Sequence, residues 1–202
     1  GHLGEYLTEQ VGKTECLPKE PITAKHGSEK DAVEWAVIWA PNLPAFIAES
    51  YVNLIPTSGG GTHVNGLRSG LSAAVREFAE FRNLLPRGVK LSPEDVWHGI
   101  SFVLSIRMKD PQFAGQTKER LASREAAALV EGYARDSTAL WLNQHPDAGE
   151  RIAQYAIENA QERIKASQKV TRKRAVAGPA LPGKLADCSS QDPARSELFL
   201  VE

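Results

Sequence analysis

The sequence predicts an α+β fold: a mixed β-sheet of three or four strands with helices packed on one face, followed by a long projecting C-terminal helix. Three observations carry that prediction. Apolar residues alternate with others along Val33, Trp35, Val37 and Trp39, and again along Ile100, Phe102, Leu104, Ile106 and Met108, the period of a strand with one face in a core. They recur every three or four positions at Val64, Leu67, Leu71, Val75, Phe78, Phe81 and Leu85, the period of a helix. From Ser123 to about Arg174 the helical period persists, carried first by Leu129, Val130, Tyr133, Leu140 and Trp141, with one break at His145-Pro146-Asp147.

Taken in order, Leu3 to Val11 reads as a short helix with Leu3, Tyr6 and Leu7 on one face. A polar stretch from Ile22 to Lys30 turns at Gly27-Ser28 and meets the apolar run Asp31 to Ala40; a hairpin through HGSEK is the simplest joint. Trp35 and Trp39 are assigned to the core, because no basic residues stand near them to complete a stacking platform for bases. Past a turn at Pro41 to Pro44, Ser50 to Ile55 makes another strand. PTSGGGTH then opens the first long helix, with Gly59, Gly60 and Gly61 giving the backbone room, Thr62 as the N-cap and His63 a structural histidine. Neither the Walker spacing nor GxGxxG is present, so the glycines carry no phosphate-cradle signature. Gly66 and Gly70 share a helix face and suit close packing on a neighbour.

Ser92, Pro93, Glu94 and Asp95 read as N-cap, first position and acidic first turn of a short helix ending at Trp97. Joining two strands through the long helix makes a crossover, which parallel strands of one sheet require. Asp147 with Glu150 forms a capping-box-like start, and Ile152, Tyr155, Ala156, Ala160, Ile164 and Val170 carry the stripe of a last helix on the order of 40 Å long. AGPALPG breaks it. Residues 1–176 are therefore expected to form the main domain, and 177–202 a linker with one short buried strand, Glu197 to Val201.

The formal net charge of −1 gives no global bias towards nucleic acid. It is uneven, however: residues 1–50 carry four Lys or Arg against eight Asp or Glu, and residues 151–202 carry nine against six. An anionic partner should be met locally. Arg163, Lys165, Lys169, Arg172, Lys173 and Arg174 make the end of the last helix basic, with no acidic residue among 163–174. Two readings stand for it: favourable charge at a helix C-terminus on a solvated face, or contact with DNA phosphates through Lys169, Arg172 and Lys173. Cys16 and Cys188 are far apart and read as reduced thiols, the five histidines have no ligand spacing, and no HExxH or GxSxG occurs. No apolar run approaches membrane length, and an intracellular chain is expected.

The stretch DPQFAGQTKERL, Asp110 to Leu121, follows the second alternating strand. Pro111 removes a ladder donor and Gly115 permits unusual backbone angles, so an irregular loop is expected with Gln116, Thr117 and Lys118 at its tip. An amide, a hydroxyl and an ammonium side by side suit a phosphate or carboxylate oxygen; the bland reading is a solvated loop. KDPQFAGQTKERL resembles the QTK loop of the B subunits of bacterial type IIA topoisomerases. YVNLIPTSGGGTHVNGLRSGL (residues 51–71), ASREAAALVEGYARDSTALWLNQ and LPGKLADCSSQDPARSELFLVE (181–202) resemble the same family, in the same order. FAGQTKERL followed by ASREAAALVEGYARDSTALWLNQ resembles the family's topoisomerase IV branch more than its gyrase branch.

That resemblance implies a transducer domain of ribosomal-protein-like fold with a left-handed crossover, preceded in the full protein by a GHKL ATPase lobe. Lys118 and Gln116 would contact the terminal phosphate of ATP, Lys118 stabilising charge in the transition state, while Thr117 shapes the loop. Arg68 would face a cavity through which a DNA duplex passes. Glu202 would be a magnesium ligand of a TOPRIM domain whose remaining ligands are missing here, so no functional metal site is expected in this segment. ATP and magnesium are thus expected to serve the full-length protein. Its expected partners are a DNA duplex, a second copy of the same chain and the A subunit of topoisomerase IV. The segment alone should hydrolyse nothing. A reading of another class, an ATP-independent nucleic-acid-binding module built on the basic helix end, predicts steeply salt-dependent duplex binding instead.

Overall fold

The computed structural model describes residues 2–28 and 31–175, with side chains of the final helix described through 168. Helix α1 (His2–Val11) leads into β1 (Leu17–Gly27) and β2 (Ala32–Trp39), followed by β3 (Ala48–Val52), β4 (Ile55–Pro56) and α2 (Thr62–Phe81). Then come α3 (Pro93–Trp97), β5 (Ile100–Arg107), α4 (Arg124–Gln144) and α5 (Pro146–Ala175). The chain divides into two compact units, residues 1–163 and 164–202.

One mixed sheet of five strands, rather than three or four, runs in the order β1-β2-β5-β3-β4. The expected hairpin closes with Gly27 opposite Ala32, and β2 pairs antiparallel with β5 from Ala32–Arg107 to Trp39–Ile100. Strand β3 runs parallel to β5, so α2 and α3 form the crossover between them.

The expected strand Ser50 to Ile55 is instead two. Asn53 and Leu54 take φ of 50° and 68°, and the chain doubles back so that Val52 faces Ile55. Left-handed angles at both central residues are what a tight hairpin needs, and leucine there hides the turn from sequence reading. The expectation that helices lie on one face is also corrected. Val33, Trp35, Val37 and Trp39 join the main core beneath α2, whereas Ala36, Ile38 and Val103 face the other way and are covered by Leu7 and Val11 of α1. A strand apolar on both faces has to be buried on both, and Ala32–Trp39 is nearly continuous in apolar residues. Strand β5 is likewise buried on both faces, not one. Tyr6 leaves the core, its phenol donating to Glu49 Oε1 at 2.8 Å.

Helix packing is governed by glycine. A Cβ on Gly66 would stand 2.4 Å from the Ala127 carbonyl oxygen, and one on Gly70 would stand 2.5 Å from that of Glu131. Helices α2 and α4 therefore meet backbone to backbone, as their spacing predicts. Contact this close suits a small residue, and Ala134 stands opposite Gly70; the buried stripe of α4 is Ala126, Val130, Ala134, Thr138 and Leu142, while Leu129 and Leu140 are exposed. Phe81 is also exposed, at the end of α2, and Leu85 lies beyond that helix. In α5 Pro146 takes the opening position, which places Asp147 inside the first turn rather than at the cap. The core-facing stripe of α5 is Ile152, Ala153, Ala156, Ile157 and Ala160.

Candidate functional site

The loop that carries Gln116, Thr117 and Lys118 stands on a closed neck. At Asp110 (φ 47°) the chain turns out of β5. The Ala114 N–H then donates to Arg120 O at 2.9 Å and the Ala122 N–H to Gln112 O at 2.7 Å, with Phe113 bridged to Leu121. The Gln112 N–H donates to Ser123 Oγ at 2.8 Å, so the residue preceding α4 also holds the neck.

On its other side the returning limb runs along the glycine-rich turn. Gly59 N–H donates to Glu119 O at 2.8 Å, Leu121 N–H to Gly60 O at 3.0 Å, and Thr62 N–H to Leu121 O at 3.1 Å. A Cβ on Gly61 (φ 134°) would stand 2.3 Å from Leu121 O, so this approach needs glycine there. The glycines thus provide backbone room, as expected, and the N–H groups of Gly59, Gly60 and Thr62 are taken by carbonyls rather than left for an anion. The cap of α2 is Gly61; Thr62 sits inside the helix and makes no side-chain cap bond. Leu121, 1 % exposed, anchors the arrangement in the core.

Beneath the turn, His63 is fully buried. Its Nε2 lies 3.1 Å from Thr57 Oγ1, which in turn lies 2.6 Å from Ser50 Oγ, tying the start of α2 to β3. Burial pushes the imidazole pKa from 6.5 down to about 4, so at neutral pH this histidine is uncharged and structural.

Above the neck, Gly115 to Glu119 are exposed. Lys118 takes φ of 55°, a left-handed conformation that costs a non-glycine residue roughly 1 kcal/mol or more. Among the described residues it makes no ion pair. Gln116, Thr117 and Lys118 are thus brought together at one exposed tip. Such a tip offers an amide donor, a hydroxyl and an ammonium on a fixed base, a set that suits a phosphate or carboxylate oxygen.

Arg68 lies two turns into α2, away from this tip, and donates from Nη2 to Glu94 Oε1 at 2.6 Å. A phosphate there would have to compete with that carboxylate. Arg163, grouped above with the basic helix end, is instead held by Asp95 through a two-pronged pair at 2.8 Å. Only the short-helix signal at Ser92 to Asp95 hinted at that partner, and it pointed to a cap rather than an ion pair. Lys169, Arg172 and Lys173 lie on the backbone of α5, but their side chains fall outside the described residues, as do Glu202 and the strand expected at Glu197 to Val201. Among the described residues no three His, Cys, Asp or Glu side chains converge to hold a metal ion, and no helix is long and apolar enough to cross a membrane.

The chain is similar to known proteins in sequence and fold. The profile of the DNA gyrase B family matches residues 3–171. Over 200 residues the chain is 60% identical to the B subunit of DNA topoisomerase 4 from Pseudomonas aeruginosa and 56% identical to that of Escherichia coli K12, covering 99% of this chain and 32% of each relative. It therefore spans about a third of the length of those relatives. Among solved structures it is similar to the topoisomerase IV ATP-binding domain of Francisella tularensis in complex with a small-molecule inhibitor. That likeness has a TM-score of 0.72 and 33% identity, over 80% of this chain and 43% of the other. The 43K ATPase domain of Thermus thermophilus gyrase B in complex with an aminocoumarin is similar in fold, with a TM-score of 0.74 and 24% identity over 85% and 46%.

Proposed function

The chain belongs to the DNA gyrase B family, and from that premise we propose that it is the transducer segment of the ATP-hydrolysing B subunit of a type IIA topoisomerase, of the topoisomerase IV branch. The observation that carries the proposal is Lys118: exposed, without an ion pair among the described residues, and held in a left-handed conformation at the tip of a loop whose neck is sewn to two helix starts. Strain kept at an exposed tip is accounted for by a partner that the tip must meet.

In this reading Lys118 reaches the terminal phosphate of ATP bound in a nucleotide-binding segment of the full-length protein. Its ammonium stabilises charge that develops as the phosphoryl group transfers, an effect worth about a hundredfold or more in rate. Gln116 donates to the same phosphate, and Thr117 shapes the turn between them. While the phosphate is present, the loop ties the two segments in one orientation; release of phosphate removes the tie. In the full-length protein Glu202 would be one ligand of a magnesium ion that would serve the DNA-cleaving chemistry, and a magnesium ion would also accompany the nucleotide. Arg68 contacts the phosphate backbone of a passing duplex when it exchanges Glu94 for a phosphate. The full protein acts with a second copy of itself and with the A subunit of topoisomerase IV, moving one duplex through another.

The 60% identity to a B subunit of DNA topoisomerase 4 favours that branch over gyrase; decatenation rather than negative supercoiling by the reassembled enzyme tests the choice. ATP turnover by the full-length protein tests the role of the loop. Lys118→Ala should lower turnover by about a hundredfold with nucleotide binding largely kept. Unchanged turnover refutes it.

A further inference from the structure

Neither the proposed ATP contact nor the proposed DNA contact uses Asp95, yet this carboxylate is the centre of a dense junction. Its side chain is 2 % exposed and accepts four hydrogen bonds: from Ser92 N–H at 2.7 Å, from the Ser92 hydroxyl at 2.9 Å, and from Arg163 Nε and Nη2 at 2.8 Å each. Asn159 donates to the Asp95 carbonyl at 3.0 Å, and Arg163 reaches the Lys90 carbonyl at 3.2 Å. Burial alone would push the carboxyl pKa up, but the Arg163 bond, the two Ser92 bonds and the guanidinium charge outweigh it and hold the group below its usual value.

The position of this junction matters more than its strength. Helix α3 has five residues, and its consecutive acids point to two different helices: Glu94 to Arg68 of α2, Asp95 to Arg163 of α5. Trp39 Nε1 donates to Val96 O at 2.7 Å and fixes the same turn to the sheet. Two residues after α3 the chain enters β5, whose far end carries the Lys118 loop. Arg163 is also the residue at which the first compact unit closes, while α5 continues to Ala175. With its carboxylate buried and its guanidinium half exposed, the pair adds little stability over apolar packing of equal volume, but its two-pronged geometry favours a defined placement of α3 on α5.

We infer that the Asp95–Arg163 pair is the positioning contact through which movement of the sheet and its loop is passed into α5, so that it sets how much duplex transport each ATP yields. This rests on the transducer reading above. Rates of nucleotide turnover depend on the loop tip and should be left nearly alone when the pair is altered; the yield of transport should not.

The test uses the full-length protein assembled with its partner subunit, measuring ATP hydrolysed and duplex passed in the same reaction. Arg163→Lys keeps the charge and removes the fork, whereas Asp95→Asn with Arg163→Gln replaces the pair by two neutral amides that avoid leaving a buried charge unpaired. Thermal melting establishes that each is folded at the assay temperature. Both variants are expected to turn over ATP within about twofold of the wild type while passage per ATP falls about tenfold, within the range that substitutions along a coupling route produce. A folded variant that keeps the wild-type ratio overturns the inference. So does a proportional fall of turnover and passage together, or failure of both variants to fold, since either makes the pair a general stability element. A wild-type enzyme without ATP-dependent passage would instead sink the transducer reading itself.

Discussion

Mild acid should weaken this fold through His63. The imidazole is fully buried, with Nε2 on Thr57 Oγ1, and its pKa is lowered from 6.5 to about 4. Above pH 6.5 the histidine is neutral folded and unfolded, so its contribution is fully present there. Between 6.5 and 4 the unfolded chain takes up a proton that the native state refuses, and stability falls as pH falls. The whole window is worth about 3 kcal/mol, of which about 2 kcal/mol is lost by pH 5. Asp95 does not interfere: its pKa is depressed, so its contribution is present above the ordinary carboxylate range and is lost only below about pH 4. His63→Gln retains a hydrogen-bonding partner for Thr57 and removes the titration. Urea unfolding at pH 7 and pH 5, for wild type and variant, isolates the effect. The wild type should lose about 2 kcal/mol more than the variant across that interval. Equal losses would refute the reasoning, because a buried neutral histidine cannot be indifferent to protonation.

Three further substitutions probe the packing. Gly70→Ala should gain about 1 kcal/mol of helix propensity yet lower stability by a net 1 to 3 kcal/mol, roughly, because its Cβ would stand 2.5 Å from a carbonyl oxygen of α4; a rise in thermal midpoint would contradict the backbone-to-backbone contact. Trp39→Phe leaves the Val96 carbonyl without its indole donor and should cost about 1 to 3 kcal/mol in chemical denaturation. Leu121→Ala should cost about 2 to 5 kcal/mol and raise amide exchange across the loop neck, from Gln112 to Ala122, more than in β2.

Much of this architecture was legible in the sequence because the relevant signals are local. The hairpin at Gly27, the alternation around Trp35 and Trp39, the period of α2 and the acidic first turn of α3 are each set within a few residues and appear where expected. What was misread depends on partners distant in the chain. Leu129 and Leu140 look like core by period, but the glycine face of α2 meets α4 at Ala127, Glu131 and Ala134, and the two leucines are left exposed. The second face of β2 is buried under α1, remote in sequence from β5, together with Leu43 and Ile47. Leu54 in a left-handed turn breaks the usual pairing of residue type with backbone angle, so one strand was expected where two exist. At the site, Gln116, Thr117 and Lys118 were visible as a polar tip. The sewing of the glycine turn to residues 119–121 was not, since backbone bonds leave no side-chain signature. Arg163 reads from sequence as part of the basic helix end because its partner lies 68 residues away.

The measurement that bears most directly on the central claim is chemical capture at the loop tip in the full-length protein. ATP bearing an acyl group on its terminal phosphate transfers that group to an amine lying beside the phosphate, and peptide mass spectrometry then identifies the lysine modified. The account predicts acylation of Lys118, suppressed by excess ATP and absent in Lys118→Arg. Labelling that spares Lys118 while marking other lysines would place the terminal phosphate elsewhere and contradict the account.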